Sequence, residues 1–292
     1  MTTNPPESAR SEVDAEPRRG RRPVVLLVLE LLLLAIPFNA AYGFVMRNVY
    51  GVDSLSGLLL AIAAVFVFYN AYVLWARFVA RRDPAEFAPA RVRGFGFGLA
   101  LGAALICAAL AVIAAAGDLT LSAGSGPALA GLPGVALLAG AAEEIIARGV
   151  VLRNLENVFG SVVALVLTAV LFGWLHAGNP HATVLSTIAI GVEGGAMLSA
   201  VYIATRSLWW VMGVHTAWNF TQTSVFSIAD SGHPGRGFLA SKIAGPDWLT
   251  GGVFGIESSL VSVVVCVAVA VFFLVRAHRD RRFVPPIWSS HR

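Results

Sequence analysis

The chain holds little charge: Asp, Glu, Lys and Arg make up 13% of its 292 residues, while 57% are apolar. A soluble domain carries about twice that share of charge, so the composition excludes a free-standing soluble globule. Cysteine is scarcer still. Cys107 and Cys266 stand alone in separate apolar runs, which excludes a disulfide framework and zinc-ligand spacing and leaves two small core residues. Lysine occurs once, at Lys242, against 20 arginines; with the richness in Ala, Gly and Val, this points to the GC-rich genome of a bacterium. There is no H-E-x-x-H stretch and no inverted repeat of the kind that builds many transporters. Gly- and Pro-rich stretches, SAGSGPALAGLPG (122–134) and SGHPGRG (231–237), separate apolar runs without marking a second domain.

What the chain does have is hydrophobic length. A helix needs roughly 20 apolar residues to cross a hydrocarbon core of about 30 Å, and runs near that length occupy 24–45, 55–74, 95–116, 128–152, 161–176, 182–204, 208–228 and 258–275. They predict an all-α fold, a polytopic membrane helical bundle with about eight transmembrane helices. Charge tests the count. An even number puts both termini on one side, where 18 of the 21 basic residues then lie; only Arg47, Arg236 and Lys242 remain opposite. The positive-inside rule makes both termini cytoplasmic in a multi-pass protein of the cell's inner (plasma) membrane. The basic run RRGRR (18–22) is then a topology anchor, and no nucleic-acid partner is expected. Residues 1–22 read as a disordered basic leader and 23–126 as transmembrane helices 1–3. The core, helices 4–7, spans 127–228. An extracytoplasmic loop with room for a short interfacial helix covers 229–257, and helix 8 with a basic cytoplasmic tail covers 258–292.

Glu143, Glu144, Arg148, His176, Glu193, His215 and Asn219 are the notable polar residues within the runs. A charge at membrane depth costs at least about 2.5 kcal/mol, so each should face the bundle interior. In GAAEEIIARG (140–149) Glu144 and Arg148 stand four apart on one face, acid first, while Glu143 is turned about 100° away and stays free. FGWLH puts Phe172 one turn before His176, and HTAWN puts His215 one turn before Asn219. Two imidazoles, an amide and a free carboxylate in a dry pocket suit peptide hydrolysis. A buried Glu can take a proton from water and deliver it to an amine, and His with an amide N–H can stabilise an oxyanion. Glu143, His176 and His215 are also zinc-ligand types; a metal-free site is favoured, with zinc as the alternative.

Each residue also has a structural reading. Glu144 with Arg148 can be a buried ion pair, and His215 with Asn219 interhelical hydrogen-bond glue. Glu193, beside Gly194 and Gly195, reads as a lining or hydrogen-bonding residue. His181, His233, His278 and His291 read as loop or tail residues, and Trp209 and Trp210 as interfacial anchors. On straight helices Glu143 and His215 fall roughly 10 Å from the inner boundary and His176 roughly 22 Å, so the fifth helix must tilt or begin deeper to join them.

In order along the chain, EEIIAR, FGWLH and HTAWN resemble the three motifs E-E-x-x-x-R, F-x-x-x-H and H-x-x-x-N of the CPBP intramembrane proteases. That group, also called Abi or CAAX-protease-like, includes the type II CAAX prenyl endopeptidases. YIATRSLWWVMGVHTAWNF (202–220) is similar to the family's run into the last motif, with Arg206 where many members have Gly. The resemblance covers roughly 127–220. It implies that Glu143 and His176 activate water, that His215 and Asn219 form the oxyanion hole, and that Glu144 and Arg148 support them, with Phe172 and Glu193 alongside. It also implies a membrane-embedded or lipid-anchored peptide or protein substrate, met within membrane lipid. Members are often labelled metalloproteases; the type II enzymes are read as glutamate proteases, the expectation adopted here. The alternatives are a catalytically idle scaffold of an immunity or secretion-associated kind and a proton-coupled transporter, the latter disfavoured by the lack of inverted repeats.

Overall fold

The computed structural model describes residues 22–49, 55–116, 119–124 and 131–289; all of the expected leader but its last residue lies outside the described residues. Among these residues six helices, rather than eight, are long and apolar enough to cross a membrane. They are α1 (Pro23–Asn48), α2 (Leu55–Val79), α3 (Pro89–Ala115), a 44-residue run Pro133–His176, α6 (Val184–Thr205) and α8 (Leu260–Arg279). The long run is not one straight helix. Gly160, with φ 80° and ψ 165°, leaves helical geometry and divides it into α4 (133–159) and α5 (161–176). Only glycine adopts that conformation without strain, and a Cβ there would stand 2.9 Å from Pro286 N and Val284 O. The C-terminal segment closes the break: Ser161 N–H donates to Val284 O at 2.9 Å and Val284 N–H to Ser161 Oγ at 2.8 Å. The other difference is α7 (Leu208–Phe220), which continues as a π turn through Thr221–Val225.

α4 and α7 form the centre, with Leu138, Ala141, Ala142, Ile145, Leu208 and Val211 fully buried. α1 and α2 turn Leu32, Leu33, Ile36, Phe66 and Phe78 outward, the face a bundle offers to lipid. Small residues let helix backbones touch where hydrocarbon gives no hydrophobic drive. Gly98 and Gly102 of α3 lie against α7, where an added Cβ would meet Trp210 O at 2.3 Å and Val214 O at 2.2 Å. Gly140 of α4 meets Thr216, the neighbour of His215, in the same way. Of the two thiols only Cys266 is the core residue expected; Cys107 is exposed on α3, where lipid rather than a neighbouring helix covers it.

The arginines gather at one end. Arg82 pairs with Glu86 at 2.8 Å, Arg153 with Glu30 at 2.5 Å and Arg206 with Glu156 at 2.6 Å, while Arg91 donates to Arg206 O and Arg206 to Arg282 O. Glu30, an intramembrane acid in the first apolar run, is thus neutralised. Arg206 has φ 52° and ψ 38°, left-handed geometry in which glycine is at ease; its ion pair to Glu156 holds the arginine there. α7 runs from this end to the other. There β1 (Leu119–Ala123) pairs antiparallel with β2 (Leu239–Ile243), register Leu119↔Ile243 to Ala123↔Leu239. The loop 229–257 therefore holds a strand and a single turn at Asp247–Thr250, and a small sheet joins an otherwise helical fold.

Candidate active site

Glu143 and Glu144 end the α-helical part of α4, and the next eight residues, Ile145–Leu152, wind as a π-helix. Two more π segments, Gly191–Met197 in α6 and Thr221–Val225 after α7, adjoin polar residues in the same way: Glu193 lies in the first and Asn219 just before the second. Such turns recur at functional sites because their widened register re-aims side chains and frees carbonyls. Two carbonyls of the α6 segment are used here. Arg148 Nη2 donates to Gly194 O and, at 2.9 Å, to Gly195 O. Its Nη1 reaches Glu144 Oε1 at 2.8 Å, and its guanidinium lies 5.1 Å from the Phe172 ring centre.

Glu144 Oε1 also meets His215 Nδ1 at 2.9 Å. Glu144 and Arg148, both fully buried, therefore tie α4, α6 and α7 together from behind the site. A carboxylate and a carbonyl only accept, so the protons on the two imidazoles can be assigned. His215 donates from Nδ1 to Glu144, and His176 donates from Nδ1 to Phe172 O at 2.8 Å; both leave Nε2 for the cavity. The Phe172 ring stacks on His176 at 4.8 Å and stands edge-on to His215 at 6.4 Å, a spacer between them. Glu143 Oε1 accepts from Tyr42 OH at 2.5 Å.

Glu143, His176, His215 and Asn219 line one cavity of about 810 Å³. Despite the depth mismatch expected of straight helices, all four line the same cavity, and α5 restarts at Ser161 directly after the Gly160 break, with no loop between. Phe172 and Glu193 line the cavity too. Glu193 is buried, and neither of its carboxylate oxygens has a hydrogen-bond partner among the described residues.

Four lining residues come from the outer segment: Asp230, Ser231, His233 and Glu257. His233 is the loop residue expected, half-buried and also lining the cavity, so the site reaches beyond 127–228. Glu257 accepts from Gln222 Nε2 and from Ser231 N–H. Burial pushes its carboxyl well above the usual range, and the charge of Asp230 adds to this. Burial also pushes Asp230 up to about 6, against the pull of His215 and with the push of Glu143. Tyr42 had a signal in the sequence, a phenol inside an apolar run; nothing marked Asp230 or Glu257.

Among the described residues no three of His, Cys, Asp and Glu come together so as to hold a metal ion.

A carboxylate, two imidazoles and an amide thus face one cavity in a protein with six helices apolar enough to cross a membrane among its described residues. Residues 125–221 match a family model described as Type II CAAX prenyl endopeptidase Rce1-like, and the match contains all three motifs, bearing out their resemblance to that family. No curated protein and no solved structure matches the chain.

Proposed function

We propose that this protein is an intramembrane endopeptidase of the glutamate type, cleaving a peptide bond of a membrane-associated protein or peptide. The observation that carries the reading is the convergence of Glu143, His176, His215 and Asn219, from three helices, on one cavity. A substrate helix hides its carbonyls in hydrogen bonds, so the segment enters locally unwound. Water sits between Glu143 and His176 Nε2. Tyr42 occupies Glu143 Oε1, which leaves Oε2 to take the water proton as the water oxygen attacks the carbonyl carbon. The carbonyl electron pair moves to oxygen, and the oxyanion is met by the Asn219 amide and by cationic His215 through Nε2–H. Glu143 then passes its proton to the amine nitrogen, the C–N bond breaks as the carbonyl re-forms, and a carboxylic acid and an amine result, the acid's proton passing to the amine as a carboxylate and an ammonium leave.

The arginine-rich end is cytoplasmic on this reading, with both termini on that side of the inner membrane and the cavity opening on the other. Partners are membrane lipid and the substrate itself. The test compares wild type with Glu143→Ala and His215→Ala, in detergent and by mapping new protein C-termini in the host. Cleavage products present only with wild type are expected; identical patterns for all three overturn the protease reading. Full activity after chelation, with metal content followed alongside, is expected of a glutamate protease, and activity lost to chelator and restored by zinc overturns that assignment.

A further inference from the structure

Glu193 has no part in the hydrolysis above, yet it lies in a membrane-spanning helix at 3% exposure with both carboxylate oxygens unbonded among the described residues. An intramembrane carboxylate without a partner is costly and marks a site that something else completes. The nearby guanidinium does not complete it: Arg148 spends its Nη groups on Glu144 and on the carbonyls of Gly194 and Gly195. The surroundings add more carboxyl groups. Asp230 and Glu257 line the same cavity, and Glu257 uses its oxygens on Gln222 and the Ser231 amide. Among the described residues these acids do not come together as a metal cage, and a single organic cation matches the one unbonded carboxylate. It also belongs close to the chemistry, because Gly194 presses on Phe172, where an added Cβ would come within 2.4 Å of the ring, and Phe172 spaces the two imidazoles.

We infer that Glu193, with Asp230 and Glu257 on the same cavity wall, forms a specificity subsite that seats a lysine or arginine side chain of the substrate next to the scissile bond. The inference rests on the hydrolytic reading of the same cavity. The high Asp230 and Glu257 carboxyls fit a pocket in which negative charge awaits a counter-ion. A peptide able to enter is apolar along most of its length and carries a basic residue near its cleavage point.

The experiment uses two fluorescent apolar peptides, acetylated and amidated at their ends, identical but for one central lysine or norleucine. End-capping removes a free α-amine as the cation. Binding to the full-length Glu143→Ala protein in detergent is read by anisotropy, so that affinity is measured without turnover. The lysine peptide is expected to bind at least about tenfold tighter, since a desolvated charge pair is lost with the norleucine. Adding Glu193→Gln should bring the two peptides within about twofold, because the buried, unbonded carboxylate is then gone. Equal binding, no binding of either peptide, or a preference that survives Glu193→Gln overturns the subsite. Cleavage by wild type separates the two readings. If both peptides are cut alike, the protease stands and the subsite falls; if lysine-selective binding holds but nothing is cut, the subsite stands and the protease falls.

Discussion

Glu144 and His215 meet through a single oxygen: Oε1 accepts from the imidazole Nδ1 at 2.9 Å while also holding Arg148 at 2.8 Å. A pair that reads as a helix clamp therefore also fixes the ring proposed to stabilise the oxyanion. Removing the carboxylate in Glu144→Ala leaves the Arg148 charge buried and unpaired, at a cost of about 3–5 kcal/mol. The expected result is a lower unfolding temperature in detergent together with lost hydrolysis. The double change Glu144→Met with Arg148→Met is expected to recover the unfolding temperature but not the activity, because nothing then holds His215.

On the proposed mechanism Glu143 carries the proton, and it bears little of the packing. Glu143→Ala is expected to lower kcat by roughly a hundred- to ten-thousandfold with an unfolding temperature close to wild type. Tyr42→Phe removes one donor to a charged acceptor, worth about 1.5–3 kcal/mol, or roughly a ten- to hundredfold loss. Because the phenol touches the base and not the peptide, the loss should fall on kcat while KM holds, a split read from steady-state kinetics.

Asp230 gives stability a pH dependence of definite sign. Its carboxyl is pushed from 3.8 up to about 6, so the folded protein holds this proton more tightly than the unfolded chain. That stabilisation is complete below pH 3.8 and is lost as the pH rises through 6; two pKa units amount to roughly 3 kcal/mol. Relative to Asp230→Asn, wild type should lose unfolding temperature between about pH 4 and pH 7, measured by thermal denaturation in detergent. Glu86 acts in the opposite sense. Burial opposes its ionisation, but Arg82 outweighs it and holds the carboxyl below its usual 4.5, so that contribution is present above 4.5 and fails as the pH falls through the lowered value.

Orientation can be read by labelling. In a Cys107→Ser background, a membrane-impermeant maleimide applied to intact cells should modify His233→Cys, beside the cavity, and leave Arg81→Cys unmodified until the cells are opened. The reverse pattern overturns the cytoplasmic placement of the arginine-rich end.

Much of the bundle was legible because apolar length and arginine bias are direct consequences of the lipid solvent. The Glu144–Arg148 pair followed from four-residue spacing alone. The three motifs located Glu143, His176, His215 and Asn219, and the structure gathers all four. What stayed hidden depends on contacts between distant parts of the chain. Tyr42 reaches Glu143 across 101 positions, and Glu30 finds Arg153 from another helix. Asp230, His233 and Glu257 belong to a loop whose path is set by β1 and β2, and no local pattern says that it folds over the cavity. The π segments are also invisible in sequence, because hydrogen-bond register within a helix is chosen by what packs on it. His215 was paired only with Asn219, one turn on, because its other partner, Glu144, lies on a different helix.

The break at Gly160 turns the following helix into a ruler. With no slack between α4 and α5, the position of His176 is counted in residues from one fixed mark. Each residue inserted between them would swing the imidazole by about 100° and move it about 1.5 Å along the membrane normal. Substitutions on the lipid-facing side of α5 can therefore accumulate freely, whereas its length from glycine to histidine admits no drift.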